Sequence, residues 1–337
     1  MRYLKSLTLA LFCGTAAMAG PAAAQGWDPT AKEFDRNPAS RRSIEDSSGG
    51  GSITPQQRNA TLDQLNKILS VSSLPASDRL IYLSLRAFHY TRLGREAEAQ
   101  KDVAEMAKVL PTAWPVVLHF ATASLASGGD RASALRLLDY GLARKPGDIS
   151  LVVGQAEIHM QISDHMRAVS LLDGAVGGAQ SSGDRQYALY MRGLANFNAG
   201  NFAQASDDFD GTLATRTTLK SRINPKLWRY AAQVRAKRDA RGILTRAVGN
   251  ENLYEWPGPI AKFLLGNLSP GELEVAAESD DNAKKANGKC MAPFFVGMDA
   301  VRRGDRQRAR EQFQLTQARC STITSTNWAA ASELKRL

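Results

Sequence analysis

RGLANFNAGNFAQASDDF, residues 192–209, contains the pattern that decides the fold. Gly193 lies in a helix-like run, Gly200 interrupts that run, and Ala205 opens a second run that carries Phe209. Small residues on facing sides let two helices approach closely, and the glycine between them permits a tight turn. The stretch therefore predicts two short helices that fold back on each other.

The same spacing recurs along the chain, most clearly in FFVGMDAVRRGDRQRAREQF at residues 294–313. The small residue that opens the second helix of each pair falls at Ala99, Ala134, Ala168, Ala205 and Ala309. The first four positions are separated by 35, 34 and 37 residues. These intervals match the tetratricopeptide repeat (TPR), whose period is about 34 residues. No segment alternates long enough to form a strand. The predicted fold class is all-α, a TPR-type α-solenoid of antiparallel helix pairs.

The sequence predicts five segments along the chain. Thr54, Pro55 and Gln57 have the pattern of a capping box and mark the start of regular structure. Asn224 and Pro225 predict the start of a later helix. The segments are a signal peptide (1–24), a disordered leader (25–53), an N-terminal helix with four TPR-like repeats (54–215), degenerate helical pairs (216–289), and a TPR-like repeat with a final helix (290–337).

The first 24 residues have the features of a cleaved secretory signal: Arg2 and Lys5, an apolar run, and small residues ending near Ala24. The prediction is a periplasmic or secreted protein. An N-terminal core helix is one alternative, and lipid anchoring through Cys13 is another, disfavoured because the bulky Phe12 directly precedes the cysteine.

The composition suits a helical core that carries a basic surface. The 337 residues are 43% hydrophobic but only 7% aromatic, and the formal net charge is +10. Removal of residues 1–24 takes away two bases and no acids, so the charge becomes 10 − 2 = +8. For an exported protein this excess favours acidic protein surfaces or anionic envelope polymers as partners, and it argues against nucleic acid.

The C-terminal half resembles a known family. A Trp-Pro opening, then FLLGNLSPGELEVAA, a Lys-rich linker, residues 294–313 and a final ASELKRL are similar to NlpI-type TPR lipoproteins of the bacterial envelope. The resemblance implies a non-catalytic adaptor that dimerises and brings cell-wall hydrolases or a tail-specific protease together with clients. For this chain, the sequence is compatible with both a monomer and a homodimer.

Two cysteines, Cys290 and Cys320, remain after the signal. An even count in an exported protein favours a disulfide. In the repeat register they fall at the same end of one helix pair, where a bond would stabilise by about 3 to 4 kcal/mol in the chain-entropy model. A redox-active pair is the alternative, although CxxC spacing is missing.

The sequence predicts no catalytic residue, metal site or cofactor. The histidines His89, His119, His159 and His165 lack the spacing of a metal-binding motif. No nucleophile elbow, phosphate-binding loop or dinucleotide fingerprint occurs. An enzyme whose residues lack local spacing remains the third hypothesis.

Two surfaces are candidates for binding a protein. Counting along the first helices predicts a largely apolar groove, a type of surface that tends to bind partners; its residues are Phe88, Arg92, His119, Glu157, Tyr187, Tyr190 and Phe197. The alternative for this set is packing against neighbouring helices. The second surface is basic and would dock an acidic protein or an anionic polymer such as peptidoglycan, unless it is only a solvated helix face; its residues are Arg222, Lys226, Arg229, Arg235, Lys237, Arg238 and Arg241.

Overall fold

The computed structural model describes residues 54–127, 129–213, 219–279, 282–322 and 324–337. The predicted signal peptide, the leader and Cys13 lie outside these ranges. Within them the chain forms sixteen α-helices and no β-strand, which confirms the all-α prediction. The chain divides into two compact units between Ile158 and His159. The predicted segment limits stay a prediction.

Unit 1 begins with a capped helix, followed by helix pairs. Thr54 Oγ1 accepts from Gln57 N, and Gln57 Oε1 accepts from Thr54 N, so the predicted capping box is confirmed. The helices are α1 (Pro55–Leu69), α2 (Ala76–Arg92), α3 (Glu96–Val109), α4 (Trp114–Ser127), α5 (Arg131–Arg144) and the part of α6 (Ile149–Gln161) that ends at Ile158. The pair α2–α3 packs against α4 and α5, with Ala87 and Ala99 fully buried.

Unit 2 contains the rest of α6 and ten further helices among the described residues. They are α7 (His165–Gly178), α8 (Ser182–Ala199), α9 (Phe202–Gly211), α10 (Leu219–Arg235), α11 (Ala240–Val248), α12 (Gly258–Leu265), α13 (Pro270–Ala276), α14 (Asn282–Arg303), α15 (Arg306–Arg319) and α16 (Ser325–Arg336). The pairs α8–α9 and α14–α15 correspond to the two quoted stretches. Both are antiparallel hairpins, as predicted.

Glycine is required at the centre of both hairpins. A Cβ at Gly193 would lie 2.8 Å from Phe209 Cε1, and one at Gly297 would lie 2.6 Å from Phe313 Cε1. Each phenylalanine ring therefore rests directly on the backbone of the facing helix. This contact is the physical reason for the spacing between the glycine and the aromatic residue.

The turns between paired helices use left-handed backbone. Gly200 has φ +91° and Gly304 has φ +81°, and the corresponding Gly94 and Gly129 also have positive φ. Ser163, which stands where the other pairs have glycine, adopts φ +63°. The turn geometry is thus kept where its usual residue is missing.

Two sequence-based boundaries were wrong. The helix predicted to start at Asn224 is α10, which starts at Leu219 with Pro225 inside it. Proline removes one backbone hydrogen bond, but Leu227 and Trp228 next to it are buried, and their packing compensates. The predicted Lys-rich linker is the first part of α14.

The reason for the second correction is an ion-pair arrangement on one helix face. Lys285 and Lys289 lie one turn apart, and their Nζ atoms are 2.7 and 2.8 Å from the two carboxylate oxygens of Glu278. Hydrogen bonds from these two lysines lower the pKa of Glu278 to about 2. Two lysines one turn apart on a helix repel each other, and the carboxylate of Glu278, which lies before α14, offsets this repulsion so that the helix can include them.

Candidate functional site

The C-terminal helix α16 lies on a face of unit 2 formed by α8, α14, α15 and the end of α10, which we call the inner face. It packs against α8, α14 and α15. Thr324 caps its start by accepting from Asn327 N. Ala329 and Ala330 are buried, so small side chains bring this helix close to its neighbours. The inner face is therefore occupied by a helix of the same chain.

A buried carboxylate anchors α16. Glu333 has no exposed surface. Arg235 Nε, at the end of α10, donates to Glu333 Oε2 at 2.6 Å, and Arg336 Nη1 donates to Glu333 Oε1 at 2.7 Å. A buried charge is tolerated only when it is paired and hydrogen-bonded. Both carboxylate oxygens meet this condition, so the anchor depends on the two arginines.

Arg336 also ties α16 to the end of α8. Its Nη2 donates to the carbonyl of Phe197 at 3.0 Å and to the carbonyl of Asn198. Its guanidinium lies 5.1 Å from the centre of the Phe202 ring, within cation–π range. The last carbonyls of a helix lack partners within the helix, and here Arg336 donates hydrogen bonds to two of them.

Two weaker contacts extend the interface. His165 Nε2 lies 3.3 Å from Ser332 Oγ, and Lys335 Nζ donates to Ser163 Oγ at 3.2 Å. Burial and the positive charges of Arg336 and Lys335 lower the pKa of His165 to about 4. His165 is consequently neutral beside α16 at neutral pH.

The predicted groove residues of unit 2 are packed rather than open. Phe197 is fully buried, with its ring 5.8 Å from that of Trp228 and 5.6 Å from that of Phe202. Tyr190 is buried and meets Phe209 edge to face at 5.8 Å. Tyr187 is half-buried. A direct role of these residues in binding stays a prediction, and in this packing Phe197 presents no surface to a partner.

The predicted groove residues of unit 1 separate into two groups. His119 Nε2 lies 2.8 Å from Glu157 Oε2, and both side chains are buried, so this pair joins α4 to α6 inside the unit. Phe88 is buried beside the ring of His89. Arg92 is exposed and forms an ion pair with Asp130. Of this set, Arg92 alone is classed as exposed.

Most of the predicted basic surface has partners within the chain. Lys226 pairs with Glu251, Arg229 with Asp210 and Arg235 with Glu333, while Arg241 Nε donates to the carbonyl of Leu264. Lys237 and Arg238 are exposed. The side chain of Arg222 lies outside the described part. The acids that neutralise this cluster come from other parts of the sequence, which is why counting charges in one span overestimated the free positive charge.

Sequence reasoning missed a repeated ion pair. Arg86 Nε donates to Asp102 at 2.9 Å, and Arg192 Nε donates to Asp208 at 3.1 Å, with a separation of 16 residues in both cases. Each arginine directly precedes the small residue of a first helix. An arginine at that register position with an aspartate 16 residues later was the available signal.

The remaining predictions concern covalent and metal chemistry. Cys290 and Cys320 are joined by a disulfide between α14 and the end of α15, with their Cα atoms 4.7 Å apart. Across the described ranges, no three His, Cys, Asp or Glu side chains are arranged to hold a metal ion. None of the described helices is both long and apolar enough to cross a membrane.

No protein-family model matches the chain. Among solved structures, the C-terminal part of a TPR repeat-containing protein from Cytophaga hutchinsonii is similar, with 12% identity over 83% of this chain and 94% of that chain and a TM-score of 0.37. A tetratricopeptide repeat protein from Parabacteroides merdae shares 16% identity over 75% of this chain and 99% of its own length, also with a TM-score of 0.37. The repeat assignment rests on the helix pairs and turns of this chain.

Proposed function

We propose that the chain is a non-enzymatic scaffold whose inner face in unit 2 binds a helical segment of a partner protein in place of α16. The observation that carries this proposal is the docking of α16 itself, with Glu333 buried between Arg235 and Arg336. A face that holds an amphipathic helix of its own chain has the shape and charge to hold another helix.

The docking of α16 also defines the chemistry of the partner. The inner face offers the half-buried guanidinium of Arg235, which favours a carboxylate opposite it. Ala329 and Ala330 are buried where α16 packs closely. The partner helix therefore carries small residues on one face and an Asp or Glu about one turn further on.

We place this scaffold in the bacterial cell envelope. The signal-like residues 1–24, the disulfide between Cys290 and Cys320, and the basic mature charge support export to an oxidising compartment. The sequence resemblance to NlpI-type proteins supports cell-wall hydrolases or a protease and its clients as the proteins that are organised. An anionic envelope polymer is the alternative partner, favoured by the exposed Lys237, Arg238 and Arg246.

Affinity capture from envelope extract tests the proposal. The baits are the wild-type protein, Glu333→Ala, which removes the anchor of α16, and Glu311→Ala, which removes an exposed acid on α15 as a matched control. We expect the same specific proteins with all baits at moderate salt, in greater yield with Glu333→Ala. The control should behave as wild type.

Two outcomes would contradict the proposal. Equal capture by Glu333→Ala and wild type would mean that α16 does not compete with partners. Binding only to purified peptidoglycan sacculi, lost on raising the salt concentration, would favour the polymer alternative, because salt screens exposed charges.

A further inference from the structure

A second polar cluster lies in unit 1, where the start of α1 meets the end of α2. Arg86 Nη1 donates to Asn66 Oδ1 at 2.8 Å and fixes the pairing of these helices. In an antiparallel pair, moving back along α1 from Asn66 corresponds to moving forward along α2 from Arg86. Arg58, in the first turn of α1, thus lies at the same end as His89 and Arg92, in the last turns of α2.

Two groups in this cluster are buried without hydrogen-bond partners. Arg58 is 6% exposed and His89 is 4% exposed, and within the described part of the chain neither Arg58 Nη1 nor His89 Nδ1 has a hydrogen-bond partner. An unsatisfied buried polar group is costly, and such groups are exceptions that call for an explanation. Both unsatisfied atoms are nitrogens: an oxygen acceptor would complete Arg58 Nη1, and it would complete His89 Nδ1 in the tautomer that carries the proton on that atom.

The acid present in the cluster already has partners. Asp130 Oδ2 pairs with Arg92, and Asp130 Oδ1 accepts from Ser133 N at 3.1 Å as the cap of α5. Arg58 and Arg92 together carry two positive charges against this one carboxylate. Counted over these three described residues, the cluster therefore has one uncompensated positive charge, and the side chain of Arg92, 35% exposed, connects it to solvent.

The ionisation of the buried groups agrees with a positive local potential. Burial lowers the pKa of His89 to about 4, with further contributions from Arg58 and Arg92. Burial and then the charge of Arg92 lower the pKa of Arg58, which Asp130 offsets only in part. Among the described residues, the charges that shift these two pKa values are those of Arg58 from α1, Arg92 from α2 and Asp130 before α5.

We propose that Arg58, His89 and Arg92 form a binding site for a carboxylate of an acidic peptide segment. A planar guanidinium matches a carboxylate through paired hydrogen bonds, and a His89 Nδ1–H can donate to the same group. The single uncompensated charge fits a monoanionic carboxylate better than a dianionic phosphate. The site lies in unit 1 and is independent of the inner face proposed for helix binding.

Calorimetric titration of the purified full-length protein with short peptides tests this site. The probes are acetyl-tetraglutamate amide, acetyl-tetraglutamine amide and acetyl-tetraglutamine with a free carboxyl terminus. We expect the first or the third to bind and the neutral amide not to bind. The first probe reports side-chain carboxylates, and the third reports a terminal carboxylate.

Two variants give the decisive comparison. Arg58→Leu should weaken binding by about tenfold or more, because it removes a charge-assisted bond. Arg144→Gln removes an exposed arginine at the far end of α5, about 20 Å along that helix from Asp130, and should leave affinity unchanged. Arg58→Leu should keep the wild-type melting temperature or raise it, since it removes an unsatisfied buried guanidinium.

The imidazole of His89 provides an independent readout by NMR. A bound carboxylate stabilises the imidazolium, so the pKa of His89 should rise from about 4 when the peptide is bound. The proposal is overturned if no carboxylate peptide binds, if Arg58→Leu and Arg144→Gln weaken binding equally, or if inorganic phosphate binds more tightly than the peptides.

Discussion

At the scale of single residues, buried polar groups separate the two candidate sites from ordinary helix packing. Glu333 is buried with both oxygens bonded, whereas Arg58 and His89 are buried with a nitrogen unsatisfied. The first arrangement holds an element of the chain in place. The second leaves a donor or acceptor for a ligand. The aromatic residues Phe197 and Tyr190, which the sequence analysis predicted as binding residues, belong to neither arrangement, because they are packed inside unit 2.

The buried His89 predicts a loss of stability on acidification. Its pKa is lowered from 6.5 to about 4 in the folded chain, so the unfolded chain binds its proton first. The stabilising contribution is complete above pH 6.5 and is lost as the pH falls from 6.5 towards 4. Linkage gives a loss of about 2 kcal/mol between pH 7 and pH 5.

Denaturant unfolding of the wild type and of His89→Gln at both pH values checks this effect. Carboxylates titrate in both proteins, so the difference between the two reports His89. We expect the wild type to lose about 2 kcal/mol more than His89→Gln on acidification. Parallel losses in the two proteins would show that His89 is not buried in a neutral form.

At the scale of helices, close approach at a glycine decides where pairs form. The ring of Phe313 occupies the space that a side chain at Gly297 would need, and the same relation holds for Phe209 and Gly193. Gly174, on the exposed side of α7, has nothing within 4 Å of the position of a Cβ. Two helical glycines therefore have opposite expected responses to the same substitution.

Gly297→Ala should destabilise unit 2 by about 1 to 3 kcal/mol through overpacking. Gly174→Ala should stabilise it by about 0.5 to 1 kcal/mol, because alanine loses less backbone entropy in a helix. Thermal unfolding followed by circular dichroism measures both. A stabilising Gly297→Ala would mean that Phe313 does not rest on the helix backbone.

The helix pairs could be predicted from the sequence because each depends on residues fewer than 20 positions apart. Gly193 and Phe209, and Gly297 and Phe313, form their contacts inside one repeat. The limits of α10 were missed because the cost of Pro225 is offset by burial of Trp228, and that burial depends on neighbouring helices. Local patterns report local geometry only.

At the scale of the whole molecule, charge pairing over long separations determines which surfaces are free. Arg235 and Glu333 are 98 residues apart, and this pair turns one predicted basic contact into the anchor of α16. Lys226 and Arg229 are neutralised by Glu251 and Asp210. The basic span was visible in the sequence, but its partners were not, because no local spacing connects them.

The central claim is that the inner face of unit 2 is a helix-binding surface that α16 occupies reversibly. The most direct test measures binding of a fluorescent peptide of residues 324–337 to three full-length proteins: wild type, Glu333→Ala, and Glu333→Ala combined with Arg235→Ala. The first variant weakens the docked helix but keeps the arginine that would receive Glu333 of the peptide.

We expect the peptide to bind Glu333→Ala at least about tenfold more tightly than wild type. Binding should fall again in the double variant, since Arg235 is the receiving group. Equal affinity for wild type and Glu333→Ala, or undiminished affinity for the double variant, would contradict the claim.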